Sequence, residues 1–119
     1  MNSVEIYGIK NCDTMKKAIA WLNKHEIPFV FHDYKKLGID RTSIESWLSQ
    51  VSWDELINKR GTTWRKLPDA DKENIDNDKA IQLMIENTSL IKRPILVKDN
   101  RLKLGFKEEV YDSIFHREH

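Results

Sequence analysis

The sequence of 119 residues contains a single cysteine, Cys12, which excludes an internal disulfide framework. A lone thiol is typical of a reducing compartment, so we predict a cytoplasmic location. No run of about 18 apolar residues occurs, and a membrane-spanning helix is therefore not predicted. The first ten residues, MNSVEIYGIK, lack the basic and apolar segments of a secretory signal, so none is expected.

A charge excess is also missing, because 20 Lys and Arg residues face 19 Asp and Glu residues and leave a net charge of +1. The two signs are interspersed along the chain and not blocked, which disfavours the basic stripe that binds nucleic acid directly. Apolar residues make up 39% and charged residues 33%, values that suit a globular chain. The length predicts one domain over residues 1–119.

Two kinds of binding motif are absent from the sequence. Neither the phosphate-binding pattern G-x-x-x-x-G-K-[ST] nor the dinucleotide pattern G-x-G-x-x-G occurs, so nucleotide binding has no support. The four histidines are scattered at positions without ligand spacing, and no metal site is predicted. The chemistry of the protein is therefore expected to rest on other residues.

The first 34 residues predict a strand, a helix and a second strand. Val4–Tyr7 is typical of a short strand. Apolar residues from Met15 onward recur with helical spacing, and Asp13 and Thr14 before them are suitable capping residues. Phe29–Tyr34 is rich in residues that favour strands. This order predicts a βαβ unit with two parallel strands.

The middle of the sequence predicts further helices. Asp40 is suited to cap one helix, and Ser52 to Glu55 form a capping box for a short one that reaches Lys59. We expect Gly61 to end that helix. The polar segment from Thr62 to Asn77 is interpreted as a loop with a possible helical turn, and a helix is predicted over residues 78–87.

The C-terminal part predicts a hairpin and a helix. The segment ILVKDNRLKL has two alternating runs around Asp99 and Asn100, which favour a hairpin turn. Gly105 separates it from a final amphipathic helix. The full order, βαβ…ββα, predicts an α/β thioredoxin-like fold with a helical segment inserted at about residues 40–90.

Cys12 is the main candidate for chemistry, because it lies between a predicted strand and a predicted helix. Unpaired N–H groups and the helix dipole favour an anion there, so the pKa of the thiol should be lowered. Lys10 and Lys16 add positive charge, and Asp13 opposes it. The alternative is a buried cysteine that only fills space. The polar neighbours Asn11 and Asp13 favour the reactive thiol over that alternative.

Three motifs in this order, YGIKNCDTMKKA, INKRGTTWRKL and LIKRPILV, resemble the arsenate reductase (ArsC)/Spx family and its YffB-type branch. The resemblance extends from Val4 to about Phe115. It implies a thioredoxin-like domain with a helical insertion, an active-site cysteine at Cys12, and two oxyanion-binding arginines at Arg60 and Arg93. It also implies that Pro94 is cis and faces Cys12.

The resemblance further implies an oxidoreductase without a bound cofactor. Because the chain has no second thiol, we expect glutathione to be the cosubstrate that resolves an adduct on Cys12. Arg60, Arg93 and Pro94 are the expected binding residues for glutathione or an anionic substrate, with Lys10 and Asn11 beside them. A small thiol or oxyanion is the expected substrate class.

Two departures from the family pattern leave alternatives open. Phe106 stands where ArsC-type reductases have a third arginine, which argues against arsenate reduction. Met15 stands three residues after Cys12 and excludes the C-x-x-C switch of Spx-type regulators. The alternatives are an Spx-like regulator that binds RNA polymerase and a family member without arsenate reductase activity.

Overall fold

The computed structural model describes residues 4–116. Residues 1–3 and 117–119 of the predicted domain lie outside the described residues. The chain forms two compact units. The sheet unit contains the described chain up to Asp33 and again from Arg93, and the helical unit is Tyr34–Lys92. The helical unit contains the predicted insertion at about residues 40–90, while the assignment of a single domain stays a prediction.

The sheet unit consists of four strands and two helices. Its strands are β1 (Val4–Gly8), β2 (Val30–Asp33), β3 (Ile95–Lys98) and β4 (Arg101–Leu104), and its helices are α1 (Asp13–Lys24) and α8 (Glu108–His116). The strand order is β2-β1-β3-β4. Strand β1 runs parallel to β2 and antiparallel to β3, and β4 is antiparallel to β3. This topology confirms the predicted thioredoxin-like fold.

The core of the sheet unit lies on one face of the sheet, because alternate residues of β1 point towards the helices. Its buried members are Val4, Ile6, Met15, Ala18, Trp21, Leu22, Leu96 and Tyr111. A β-carbon at Gly8 would overlap the sulfur of Met15, so glycine allows the start of α1 to pack closely against the end of β1. The predicted apolar stripe of α1 is therefore the stripe that fills this core.

The hairpin between β3 and β4 turns at the two predicted residues. Asp99 and Asn100 have φ angles of 52° and 65°, as the tight turns of two-residue hairpins require. At the other end of the hairpin, the N–H of Gly105 donates to the carbonyl of Pro94 at 2.9 Å. The hairpin prediction is confirmed, and its closed base holds the residue before β3 in place.

The helical unit is built from short helices. They are α2 (Tyr34–Leu37), α3 (Arg41–Leu48), α4 (Trp53–Leu56), α5 (Thr62–Lys66), α6 (Asp69–Lys72), α7 (Asn77–Glu86) and a 3₁₀ turn (Thr88–Leu90). Asp40 caps α3 by accepting from the N–H of Ser43, and Ser52 and Glu55 form the predicted capping box. Both cap predictions are confirmed.

Several predicted helix boundaries are wrong. Cys12, not Asp13 or Thr14, is the N-cap residue of α1, so the helix begins two residues before Met15. Helix α4 ends at Leu56 because the chain becomes extended at the next residue. Gly61 precedes a helix instead of ending one.

The segment Thr62–Asn77 is also not mainly a loop, because it contains α5 and α6 and the first residue of α7. Helices of four or five residues are too short to produce a clear apolar period, which is why the sequence pattern did not indicate them. Pro68 is compatible with this arrangement because it occupies the N-cap of α6, where its missing N–H has no helical partner to lose.

Two buried tyrosines differ in what their hydroxyl groups contact. The Tyr34 hydroxyl donates to the carbonyl of Ile91 at 2.8 Å. The Tyr111 hydroxyl is buried without a hydrogen-bond partner among residues 4–116, and burial raises the pKa of Tyr111. A satisfied buried hydroxyl stabilises a fold, whereas an unsatisfied one carries a desolvation cost.

We therefore predict that removing the hydroxyl group has different effects on the free energy of unfolding at Tyr34 and at Tyr111. Tyr34→Phe should lower the free energy of unfolding by about 1–2 kcal/mol, because the buried hydrogen bond from the hydroxyl to the Ile91 carbonyl is lost. Tyr111→Phe should leave it unchanged or raise it by up to about 1 kcal/mol. Urea unfolding with unchanged m values measures both differences. A larger loss for Tyr111→Phe than for Tyr34→Phe would contradict the prediction.

Candidate active site

Cys12 is the last residue of the connection between β1 and α1. Its backbone is extended, with φ −134° and ψ 129°, and its carbonyl accepts the first helical hydrogen bond from the N–H of Lys16 at 2.9 Å. The residue is partly exposed, and it packs against the core of the sheet unit. The alternative of a fully buried, space-filling cysteine is therefore wrong.

The environment of Cys12 lowers the pKa of its thiol. Partial burial is the largest single influence and opposes ionisation. The backbone N–H groups of Met15 and Thr14 and the side chain of Arg93 favour the thiolate, and together they outweigh burial. The two N–H groups belong to the second and third helical residues, which are the donors that an N-cap side chain normally satisfies. The neutral thiol makes no such capping bond, so these donors are available to the anion.

Sheet register explains why Arg93 reaches Cys12. Strand β3 is antiparallel to β1 and pairs Ile95 with Tyr7, so the residues before β3 lie beside the residues after β1. Arg93 lowers the pKa of the Cys12 thiol both as a side-chain donor to the thiolate and through its positive charge. These residues are 81 positions apart in the sequence, and only strand pairing brings them together.

The other predicted residues of the sheet unit have different settings. The Arg93–Pro94 peptide bond is cis, as predicted, and Pro94 is buried. That Pro94 faces Cys12 stays a prediction. Lys10 and Asn11 are exposed in the connection between β1 and α1, directly before Cys12.

Arg60 belongs to the helical unit and lies in an ordered turn. Its N–H donates to the side chain of Asn58 at 3.2 Å, and the N–H of Asn58 donates to the carbonyl of Leu90 at 2.7 Å. The side chain of Arg60 is exposed. The structure thus holds its backbone in place, while its role in binding an anion stays a prediction.

Two residues at the start of α1 and one before α8 show that three features are lacking: a resolving thiol, a capping carboxylate and a third positive charge. Met15, where a resolving cysteine would stand, is fully buried in the core. Asp13 is exposed and does not cap the helix. Phe106 packs edge-on against Tyr111, with ring centroids 4.7 Å apart. Phe106 is therefore a packing residue of the sheet unit and offers no charge to an anion.

Sequence reasoning predicted Cys12 and Arg93 but assigned the wrong role to Thr14. Thr14 was expected to cap the helix with its side chain, whereas its N–H group supports the thiolate. The sequence spacing could have indicated this role. When residue 12 is the N-cap, the backbone N–H groups of residues 14 and 15 are the ones that point to its side chain.

Two further features are absent from the described residues. Between residues 4 and 116, no group of three or more His, Cys, Asp or Glu side chains could hold a metal ion. No helix within that range combines the length and apolar character needed to cross a bilayer.

The strand order and the cysteine at the start of α1 define a thioredoxin-like protein with a one-cysteine candidate site. The model of the ArsC family matches residues 7–114, which is most of the chain. The chain therefore belongs to the ArsC family, and through this membership it is an arsenate reductase-like protein.

Curated relatives cover nearly the whole chain. An uncharacterized protein of Haemophilus influenzae is 44% identical over 112 residues, which are 94% of this chain and 98% of that protein. The global transcriptional regulator Spx of Streptococcus pneumoniae is 31% identical over 108 residues, which are 89% of this chain and 80% of the regulator. Similarity thus extends both to an uncharacterized protein and to a regulator.

Solved structures agree with the fold. A YFFB protein superposes with a TM-score of 0.89 at 46% identity, covering 93% of this chain and 97% of that one. An arsenate reductase (ArsC) related protein from Brucella melitensis has a TM-score of 0.75 at 47% identity, covering 98% and 96% of the two chains. The predicted family and its YffB-type branch are confirmed.

The lowered pKa of Cys12 predicts how its reactivity depends on pH. The thiolate is the reactive form, so alkylation by iodoacetamide should stay fast below the ordinary pKa of a thiol and slow only as the pH falls through the lowered pKa. Arg93→Gln removes a charge and a hydrogen bond from the thiolate and should move the midpoint of the alkylation profile upward. Alkylation should then be slower at neutral pH.

A matched control is Arg65→Gln, which removes an exposed arginine of the helical unit. Its alkylation profile should coincide with that of the unchanged protein. If both arginine variants shift the midpoint equally, net charge and not the contact of Arg93 with Cys12 sets the pKa.

Proposed function

We propose that the protein is a glutathione-dependent thiol reductase that uses Cys12 as its nucleophile. The observation that carries this proposal is the partly exposed Cys12 thiol whose pKa is lowered by the N–H groups of Thr14 and Met15 and by Arg93. A thiolate at neutral pH attacks a disulfide sulfur, whereas a neutral thiol does not.

The first step is attack on a mixed disulfide between glutathione and a substrate thiol. The Cys12 sulfur forms a bond to the glutathione sulfur, and the bond between glutathione and the substrate breaks. The substrate leaves as a thiolate and takes a proton from water. The substrate sulfur is thereby reduced, and Cys12 carries glutathione as a disulfide.

The second step needs a thiol from another molecule, because Cys12 is the only cysteine in the chain. A second glutathione attacks the glutathione sulfur of the adduct, which forms glutathione disulfide and returns the Cys12 thiolate. The buried thioether of Met15 cannot take this part. The overall reaction consumes one mixed disulfide and one glutathione and yields the free thiol and glutathione disulfide.

Positive charge is the proposed basis of substrate recognition. Glutathione carries two carboxylates, and arginine binds carboxylates through a planar pair of donors. Arg93, next to the sulfur, is proposed to serve both the thiolate and the ligand. Arg60, Lys10 and Asn11 complete the proposed set, and all three are exposed. The reaction fits a cytoplasmic location, where glutathione is kept reduced.

Arsenate is a weaker candidate substrate than a disulfide. An oxyanion needs several fixed donors around it, and the position of the third family arginine holds Phe106, which packs against Tyr111. We propose that the activity is directed to sulfur, so arsenate reduction should be slow or absent while mixed disulfides are reduced.

The experiment is a turnover assay with the mixed disulfide of glutathione and hydroxyethanethiol, coupled to glutathione disulfide formation. The unchanged protein should turn over and, without free glutathione, should gain the mass of one glutathione at Cys12. Cys12→Ser should show neither effect, because the nucleophile is gone. Arg65→Gln, which removes an exposed arginine that is not a member of the proposed set, should retain full activity.

Equal rates for the unchanged protein and Cys12→Ser would refute the proposal. An adduct that forms but is not released by glutathione would leave Cys12 as the nucleophile and exclude glutathione as the resolving thiol. Replacing glutathione by dithiothreitol or by thioredoxin in the second step distinguishes these cases.

A second candidate function is an Spx-like regulator that binds RNA polymerase. The observation that favours it is 31% identity to a global transcriptional regulator Spx over 89% of this chain. Because Met15 replaces the second cysteine of a C-x-x-C switch, such binding would not depend on an internal disulfide.

A pull-down from an extract of the native host tests this second function. Polymerase subunits retained equally by the unchanged protein and by Cys12→Ser would indicate a regulator. We expect no specific retention, because the proposed function is enzymatic. An immobilised unrelated protein of similar charge serves as the control.

A further inference from the structure

An open groove lies between the β3–β4 hairpin and helix α8, within the sheet unit, and has a volume of about 700 Å³. Its walls include Leu96, Leu102 and Ile114, together with Lys98, Arg101, Lys103, Asp99 and Ser113. This volume falls in the range of small-molecule sites, about 300–1,000 Å³. The reaction proposed at Cys12 uses none of these residues, and Leu96 is the one among them that lies in the three family motifs.

The groove is separate from the candidate active site. Lys98 pairs with Val4, the first residue of β1, whereas Cys12 follows Gly8, the last residue of that strand. Four residues of extended chain span about 13 Å, so the two sites lie at opposite ends of β1.

Strand register places three cations on the groove side of the hairpin. Directly opposed residues share a face of the sheet, and Lys98 is paired with Arg101 while Lys103 is paired with Leu96. Lys98 reaches α8, because its Nζ lies 3.3 Å from the carbonyl of Ile114. Arg101 and Lys103 are therefore on the face that looks towards α8.

The charges of this groove are not balanced within the described residues. Among the described residues, Asp99 is the only acid that lines the groove, and its carboxylate lies 3.8 Å from Nζ of Lys98. Arg101 and Lys103 are exposed, and no ion pair within residues 4–116 neutralises either of them. Glu109, one helical turn before Ser113, is the other acid of α8 on this side, and it is exposed.

The floor of the groove is apolar. Leu96 is 1% exposed, Ile114 is half-buried, and both belong to the core of the sheet unit or pack against it. A ligand that only carried charge would leave the exposed part of Ile114 in contact with water, whereas Leu96 is already shielded from water. A ligand with an apolar body would cover the floor and gain about 25 cal/mol for each Å² of apolar surface removed from water.

We infer that this groove binds a small amphipathic anion, in which an apolar body is joined to a carboxylate or phosphate head group. The body lies over the exposed part of Ile114 at the floor of the groove, and the head group is bound by Arg101 and Lys103. Both head groups accept the donors of arginine, and the two sources are distinguished by the probes.

Amide NMR titrations of the full chain test this inference with octanoate and octyl phosphate. Amides of the hairpin and of α8 around Ser113 should shift with saturation for at least one of the two probes. Inorganic phosphate has the charge without the body, and octyl glucoside has the body without the charge. Each should bind at least about tenfold more weakly than the better amphipathic anion.

The double substitution Arg101→Gln and Lys103→Gln should weaken binding of the amphipathic anion at least about tenfold, because two charged hydrogen-bond donors are lost. The double substitution Arg65→Gln and Lys66→Gln removes the same charge from exposed residues of the helical unit and should leave binding unchanged. Cys12→Ser should also bind as the unchanged protein does.

Three results would overturn the inference. They are no saturable shift in the hairpin with either anion, equal binding by the Arg101/Lys103 double variant, and equal binding of octyl glucoside. Shifts confined to residues around Cys12 would assign the anion to the candidate active site and would count against the groove as well.

Discussion

The pairing of β1 with β3 is the interaction on which the candidate site depends. It places Ile95 beside Tyr7, so Arg93 arrives next to Cys12 from the opposite end of the chain. Backbone N–H groups are available to a thiol at the start of any helix and lower its pKa. Burial of Cys12 opposes ionisation of its thiol. Arg93 lowers the pKa of the thiol further, as a donor and as a charge, and so favours the thiolate.

Close packing at the same point supports this geometry. Gly8 allows the buried Met15 to lie against the end of β1, which holds the first turn of α1 against the sheet. The N–H groups of Thr14 and Met15 are thereby fixed around Cys12. Met15 thus contributes to the site through its backbone and its packing, although its side chain fills the position where a resolving thiol would stand.

The strands and long helices were predictable, because their apolar periods extend over several residues, as in α1 and α7. The caps at Asp40 and Ser52 were predictable because capping needs only residues three apart. Helices α5 and α6 were missed because four or five residues carry no clear period. The wrong cap at Asp13 and Thr14 arose because several polar residues in a row can each cap a helix, and packing against Gly8 decides among them.

The sequence by itself determined the fold class, the family, the position of Cys12 and the absence of a second thiol. The family follows from the resemblance of three motifs, and the others follow from local pattern or from composition. Only the tertiary structure decided the partial exposure of Cys12, the contact of Arg93 with its sulfur and the cationic groove beside α8. Each of these joins residues from distant parts of the chain, and strand register, which no local pattern specifies, sets which of them meet.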